Sequence, residues 1–172
     1  DPVGAGASQF RNKNASDLLK LKPTVLRGNA SEIISISGNE AGGKGVDSTS
    51  SSNEALDAAK SLATQHKIVV AVTGEIDYVT DGNKTLSVHG GNILMTKVTA
   101  TGGALTCLIG AGLTTNQDKL TSTANILGIY SLAAEIACKD SMGPGSLKPK
   151  LLDSLYNITP KYVNEKIKIS RI

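Results

Sequence analysis

Ile68-Val69-Val70-Ala71-Val72 is a short apolar run of β-branched character closed by Thr73-Gly74. Such a run reads as a strand buried on both faces and seated mid-sheet. Ahead of it, residues 52–64 put Leu56, Ala59 and Leu62 on one face of a helix, with Ser52 or Asn53 as its N-cap. A helix leading into a buried strand is an α/β signature. A second such unit lies earlier. Residues 10–21 carry Leu18, Leu19 and Leu21, Pro23 stops the helix, and Thr24-Val25-Leu26 reads as a strand that ends at Arg27-Gly28.

After the central strand, Asp77-Tyr78-Val79-Thr80, the turn Asp81-Gly82 and Thr85-Leu86-Ser87-Val88 predict a hairpin, so antiparallel strands join the sheet. Residues 92–98 read as another strand, and from Gly102 the chain turns helical through Ala104, Leu105, Leu108 and Ile109. Residues 118–138 predict a long, mostly apolar helix. A shorter one over 147–156 follows the breaker Gly143-Pro144-Gly145. The Gly- and Ser-rich stretch 38–52 is expected to be surface loop, and no internal repeat is visible.

Composition narrows the function classes. The chain has 172 residues, 40% hydrophobic and 19% charged, a balance that fits one globular domain over residues 1–172. A net charge of +3, one Phe, four Tyr and no Trp give neither the basic footprint nor the stacking surface of a nucleic-acid binder. The longest apolar run, residues 104–113, is about half of the roughly 20 residues needed to span a bilayer. No signal-peptide pattern precedes Asp1-Pro2-Val3, so a soluble, cytoplasmic protein is expected. Cys107 and Cys138 lie in apolar stretches without CxxC spacing and are expected as reduced core thiols. His66 and His89 stand alone as ordinary surface or hairpin residues.

Three strand ends carry candidate chemistry. Asn29-Ala30-Ser31-Glu32 has the spacing of a capping box, with Asn29 at the cap and Glu32 three residues on. A carboxylate at that helix start also stands where open α/β sheets bind ligands, and there it could hold Mg²⁺ through water beside phosphates. Arg27 ends the same strand and offers a bidentate partner for phosphate, while Thr73-Gly74-Glu75 ends the central one. The turn Ala100-Thr101-Gly102-Gly103 follows the strand predicted over 92–98, and small residues let its backbone N–H groups and the next helix's N-terminus converge on an anion. A tight packing turn is an equally good reading of that segment alone.

Two familiar spacings fail. Gly38 to Lys44 matches GxxxxGK, but Gly45 replaces the Ser or Thr that should reach Mg²⁺, and a helix precedes it. Gly4-Ala5-Gly6 opens like a dinucleotide fingerprint, yet Gln9 stands at the third glycine and no acidic residue closes a second strand. That segment is read as a strand-to-helix turn.

Taken in order, several blocks resemble hydroxyethylthiazole kinases, the ribokinase-fold enzymes of thiamine salvage. They are residues 1–7, Arg27-Gly28-Asn29-Ala30-Ser31-Glu32-Ile33, Gly45-Val46-Asp47, Val72-Thr73-Gly74-Glu75-Ile76-Asp77, the Thr-rich turn near Ala100 and Gly143-Pro144-Gly145-Ser146. The resemblance implies an α/β, ribokinase-like three-layer α/β/α sandwich with a mostly parallel central sheet. Members of that family are longer at the N-terminus, so the chain resembles their C-terminal portion with the N-terminal part missing, and a partner fragment is expected to cover the open sheet edge.

The resemblance further implies transfer of the ATP γ-phosphoryl group to the hydroxyl of 4-methyl-5-(2-hydroxyethyl)thiazole, with Mg²⁺ as cofactor, in a homotrimer with sites at subunit boundaries. Arg27, Thr73, Asn29 and Gly74 match ATP-binding positions, Asp1 and Glu32 the acidic positions near the metal, and Ala100 a substrate-contacting glycine. Thr101, Gly102 and Gly103 form the catalytic turn. There the chain departs from the family's Val-Thr-Gly-x-Gly-Cys, because Ala100 replaces the first glycine and Gly103 the Cys taken as the base. A missing base is expected to slow the reaction by about 10²–10⁴-fold, and Ala100 to adopt a backbone angle that glycine takes freely. Cys107, one helical turn on, is a weak substitute. The alternatives are a catalytically impaired nucleotide- or thiazole-binding protein, or another vitamin-precursor kinase such as hydroxymethylpyrimidine kinase.

Overall fold

Capping side chains start several of the helices in the computed structural model, which describes residues 1–40, 52–115 and 118–172. Ser8 starts α1 (Gln9–Leu19) by accepting the Arg11 N–H, and Asp118 starts α5 (Lys119–Lys139) by accepting that of Thr121. Strand β1 (Val25–Asn29) runs straight into α2 (Ala30–Glu40). Next come α3 (Ser52–His66), β2 (Val69–Thr73), β3 (Ile76–Thr80) and β4 (Thr85–His89). Helices α4 (Thr101–Gly112), α6 (Pro144–Asn157) and α7 (Pro160–Lys166) and strand β5 (Lys168–Arg171) complete the set.

The strands hydrogen-bond in chain order, β1-β2-β3-β4-β5. β1 and β2 are parallel, with Val25 opposite Val69 and Asn29 opposite Thr73, whereas β2 and β3 are antiparallel, with Val70 opposite Thr80. The sheet is therefore mixed and mostly antiparallel, not mostly parallel as expected. A parallel step needs a crossover of a dozen or more residues, which the α2–α3 segment supplies between β1 and β2. Gly74-Glu75 and the turn at Asp81-Gly82 are too short for anything but reversals. In the second turn Asp81 accepts the N–H groups of Asn83 and Lys84, and Gly82 takes φ +92° beside Thr64, where a Cβ would collide.

The chain divides into two compact units, residues 1–86 with 171–172 and residues 87–170. In the first, α2 and α3 pack on β1 and β2 around Leu26, Ile33, Ala59, Leu62 and Val70. α3 buries Ala59 and Leu62 as predicted, together with Ala55 and Ala63, and leaves Leu56 half-exposed. In the second unit, α5 packs with α4, α6 and α7 through Leu105, Ile109, Leu127, Tyr130 and Leu147.

Several expectations are corrected. β1 continues through Arg27 and Gly28 to Asn29, so Arg27 lies inside the strand. Residues 92–98 hold a 3-10 helix, Ile93–Lys97, because Asn92 caps it by accepting the Leu94 N–H at 2.9 Å and Gly90 and Gly91 end the preceding strand with positive φ. The turn at Ala100 consequently follows a 3-10 helix, not a strand. Gly143-Pro144 starts α6, with Pro144 in its first turn, where a missing N–H costs nothing. The turn at Gly4-Ala5-Gly6 leads into α1 through the cap Ser8. Cys107 is exposed on α4, about 200° around the helix from buried Leu105, and Cys138 is half-buried; both are free thiols. α2 extends through Gly38 to Glu40, three residues into the expected loop. The remainder of that loop through Ser51, with Lys44 and Gly45-Val46-Asp47, lies outside the described residues, as do the side chains of Ser52 and Asn53.

Candidate active site

The N-terminal turn, the end of β1 and the end of β2 meet in the first unit. Glu32 receives two backbone N–H groups: Gly4 donates to Oε1 at 3.0 Å and Asn29 to Oε2 at 2.9 Å. Asn29 Oδ1 in turn accepts the Glu32 N–H at 2.9 Å and the Ser31 hydroxyl at 2.8 Å. The capping box read from the sequence is thus formed, and its carboxylate also fastens the turn that contains Gly4. Gly4 (φ +73°) sits where an added Cβ would press on the Arg11 side chain, which donates to the Val3 carbonyl at 2.7 Å.

Arg27 projects from β1 toward β2 and is largely buried, its side chain 13% exposed. Its Nη2 donates to Thr73 Oγ1 at 2.8 Å, and Nη1 lies 3.4 Å from Asp1 Oδ2. The Thr73 hydroxyl donates to the Gly28 carbonyl at 3.3 Å, so it is held in one orientation. Gly74 donates its N–H to Asp77 Oδ1 at 2.9 Å. Burial pushes the Asp77 carboxyl up to about 6, against opposing pulls from the Gly74 hydrogen bond and the Arg27 guanidinium.

Asp1, Arg27, Asn29, Glu32, Thr73 and Gly74, all singled out in the sequence, are therefore linked through one network of short contacts or through adjacent backbone. A largely buried guanidinium beside a hydroxyl and a strand-end turn can receive a phosphate chain. Among the described residues no group of three His, Cys, Asp or Glu is placed to cage a metal ion. Each Glu32 oxygen accepts one N–H and keeps a lone pair, so Glu32 fits a hydrated Mg²⁺ held through water and phosphate, the usual mode for that ion, while the Asp1 carboxylate pairs with Arg27.

The second unit carries the other candidate segment. Ala100 sits at φ +71°, ψ 6°, the left-handed region, as the residue before α4. Thr101 donates its hydroxyl to the Val98 carbonyl at 3.2 Å, and its own carbonyl accepts the Tyr130 hydroxyl at 2.8 Å. Tyr130 is 2% exposed, so the start of α4 is fastened to the core of this unit by a buried phenol. Gly102 is half-buried, whereas Gly103 is exposed with open space where a Cβ would lie. The turn thus presents backbone N–H groups and a helix N-terminus but no acid or base side chain of its own.

Sequence reasoning passed over Tyr130 and Asp77 as site residues. A lone Tyr in the apolar stretch of α5 is a usable signal for a buried hydroxyl seeking a partner, and so is an Asp three residues after a strand-end Gly.

The pattern of the Hydroxyethylthiazole kinase family matches residues 1–161. A hydroxyethylthiazole kinase of Citrobacter koseri is 47% identical over 158 residues, covering 92% of this chain and 60% of that protein. One from Rhizobium etli is 43% identical over 171 residues, covering 99% and 66%. The solved structure of a hydroxyethylthiazole kinase protein from Pyrococcus horikoshii OT3 superposes on all of this chain and 64% of its own, with a TM-score of 0.90 at 35% identity. The chain thus spans less than two thirds of the length of these relatives.

Proposed function

Because the chain belongs to the hydroxyethylthiazole kinase family, we propose that it serves transfer of the ATP γ-phosphoryl group to the hydroxyl of 4-methyl-5-(2-hydroxyethyl)thiazole in thiamine biosynthesis. The observation that carries the reading is the Arg27–Thr73 contact beside the Glu32 capping box, which places a cation, a hydroxyl and a carboxylate at the ends of parallel strands.

Phosphoryl transfer asks a protein mainly for positioning and charge stabilisation. Arg27, Thr73, Asn29 and Gly74 take the nucleotide, with the guanidinium neutralising phosphate oxygens. Asp1 and Glu32 receive the water shell of Mg²⁺, which when bound neutralises charge on the phosphates. Thr101, Gly102 and Gly103 direct backbone N–H groups at the transferring group, and Ala100 borders the thiazole. Residues 1–172 belong to one ribokinase-like, three-layer domain of a cytoplasmic homotrimer with sites at subunit boundaries. No helix among the described residues is long and apolar enough to cross a membrane.

A second reading rests on Gly103, which has no side chain to take the substrate's proton: an impaired protein that binds nucleotide or thiazole without turnover. Both are tested by ADP formation with Mg²⁺ and ATP, with and without the thiazole alcohol. Alcohol-dependent ADP supports the kinase and removes the impaired reading; ATP binding with no ADP does the reverse. An acceptor panel including hydroxymethylpyrimidine separates the related vitamin-precursor kinases.

A further inference from the structure

The paired registers place Asp77 on the same face of the sheet as Arg27 and Thr73. Arg27 pairs with Ala71 and Asn29 with Thr73, while Ala71 pairs with Val79. With a two-residue repeat, Arg27, Thr73 and Asp77 occupy one face of three neighbouring strands. The backbone register of β2 with β3 runs from Val70 opposite Thr80 to Val72 opposite Tyr78. Thr73 and Gly74 extend past it, and there the Asp77 carboxylate takes the Gly74 N–H at 2.9 Å in place of a strand carbonyl.

We propose that Asp77 is a positioning residue of the nucleotide site, its carboxylate holding the Thr73-Gly74 strand end through the Gly74 N–H so that Thr73 and Arg27 keep the arrangement that receives phosphates. The inference rests on the nucleotide reading of Arg27 and Thr73 and adds a residue to it. Thr73 is the middle of the relay: it accepts from Arg27 at 2.8 Å and donates to the Gly28 carbonyl at 3.3 Å, so a displaced Gly74 backbone turns the hydroxyl away from both. The location is also costly. Burial opposes ionisation of the Asp77 carboxyl even with the Arg27 charge acting on it, a perturbation common among residues of functional sites.

The test measures ATP·Mg²⁺ affinity of the 172-residue chain by calorimetry, for the unaltered protein, Asp77→Ala, Asp77→Asn and Arg27→Ala, with circular dichroism to establish that each is folded. Asp77→Ala is expected to weaken binding by about tenfold, the scale of one hydrogen bond to a charged group. Asp77→Asn is expected to return most of that loss, because its Oδ1 still accepts the Gly74 N–H. Folded Asp77→Ala with unaltered affinity, alongside weakened Arg27→Ala, overturns the role of Asp77 and leaves the nucleotide reading standing. Asp77→Asn as weak as Asp77→Ala also overturns it, since the hydrogen bond then does not carry the effect. If the unaltered chain does not bind ATP, or Arg27→Ala binds it normally, the nucleotide reading itself fails and the inference with it. If Asp77→Ala is too unstable to measure, the Asn variant decides through the Gly74 amide: a ¹⁵N–¹H shift matching the unaltered protein, with retained affinity, supports the proposal, and a released amide with retained affinity overturns it.

Discussion

Arg27 reaches across from β1 to place Nη2 at 2.8 Å from Thr73 Oγ1, joining residues 46 positions apart in sequence. The contact exists because β1 and β2 are parallel and in a register that sets Asn29 opposite Thr73. Arg27→Ala removes the cation and leaves the two strands paired. ATP affinity is expected to fall by about 10–100-fold, as for a charge-assisted contact, with the circular dichroism spectrum unchanged. A folded variant with undiminished ATP affinity removes Arg27 from the site.

Ala100 holds φ +71°, where a Cβ crowds the following carbonyl by roughly 1–2 kcal/mol. Ala100→Gly relieves that crowding, partly offset by the greater freedom glycine loses on folding. The variant is expected to gain about 1 kcal/mol, read as a rise of about 2–4 °C in Tm for a chain of this size. A lower Tm would mean that the turn is not strained by the methyl group.

Gly103 is exposed, and a Cβ built on it meets nothing within 4 Å. Gly103→Cys should therefore fold as the parent does. If the site lacks only its base, alcohol-dependent ADP formation rises by about 10²–10⁴-fold. No rise in a folded variant that binds ATP places the deficit elsewhere.

Tyr130 donates its buried hydroxyl to the Thr101 carbonyl at 2.8 Å. Tyr130→Phe keeps the ring and loses the donor, at a cost of about 1–2 kcal/mol in urea unfolding. If the phenol also holds the catalytic turn, the rate of ADP formation drops while ATP affinity does not. Equal stability of parent and variant would assign the contact no weight.

Asp77 titrates near 6 in the folded chain against an ordinary 3.8. The folded protein therefore binds that proton more tightly than the unfolded one, and the stability it supplies is present in full below about pH 3.8 and is lost as pH rises through about 6. A shift of this size corresponds to about 3 kcal/mol by neutral pH. Asp77→Asn has no such proton, so its stability relative to the parent should increase between pH 4 and pH 8 in urea titrations. A difference that stays constant over that range contradicts a buried, titrating carboxyl.

Local chemistry was legible in the sequence wherever it is settled within a few residues. Whereas the left-handed angle at Ala100 was expected from the family's glycine and not from the local residues, the capping box at Asn29 and Glu32 and the Asp81-Gly82 reversal each follow from side chains that reach their own backbone. The same holds for the buried run that became β2 and for the helix that Asp118 caps. Residues 92–98 were misread because an apolar run with few polar breaks suits a strand and a short helix alike, and Asn92 as a cap was the signal passed over.

What the amino-acid order determined by itself is most of the helices and strands as far as α6, their caps and turns, and which residue types stand at the strand ends; the 3-10 helix at 93–97, α7 and β5 were not legible in it. The tertiary structure alone decided which of these meet. Packing set β1 parallel to β2 with Asn29 opposite Thr73, across the long crossover through α2 and α3. The meetings of Arg27 with Thr73 and of Tyr130 with Thr101 span 46 and 29 positions. The physical reason is range: a cap or a turn is an equilibrium within one helical turn of chain, whereas these contacts exist only after packing has fixed the register between distant segments.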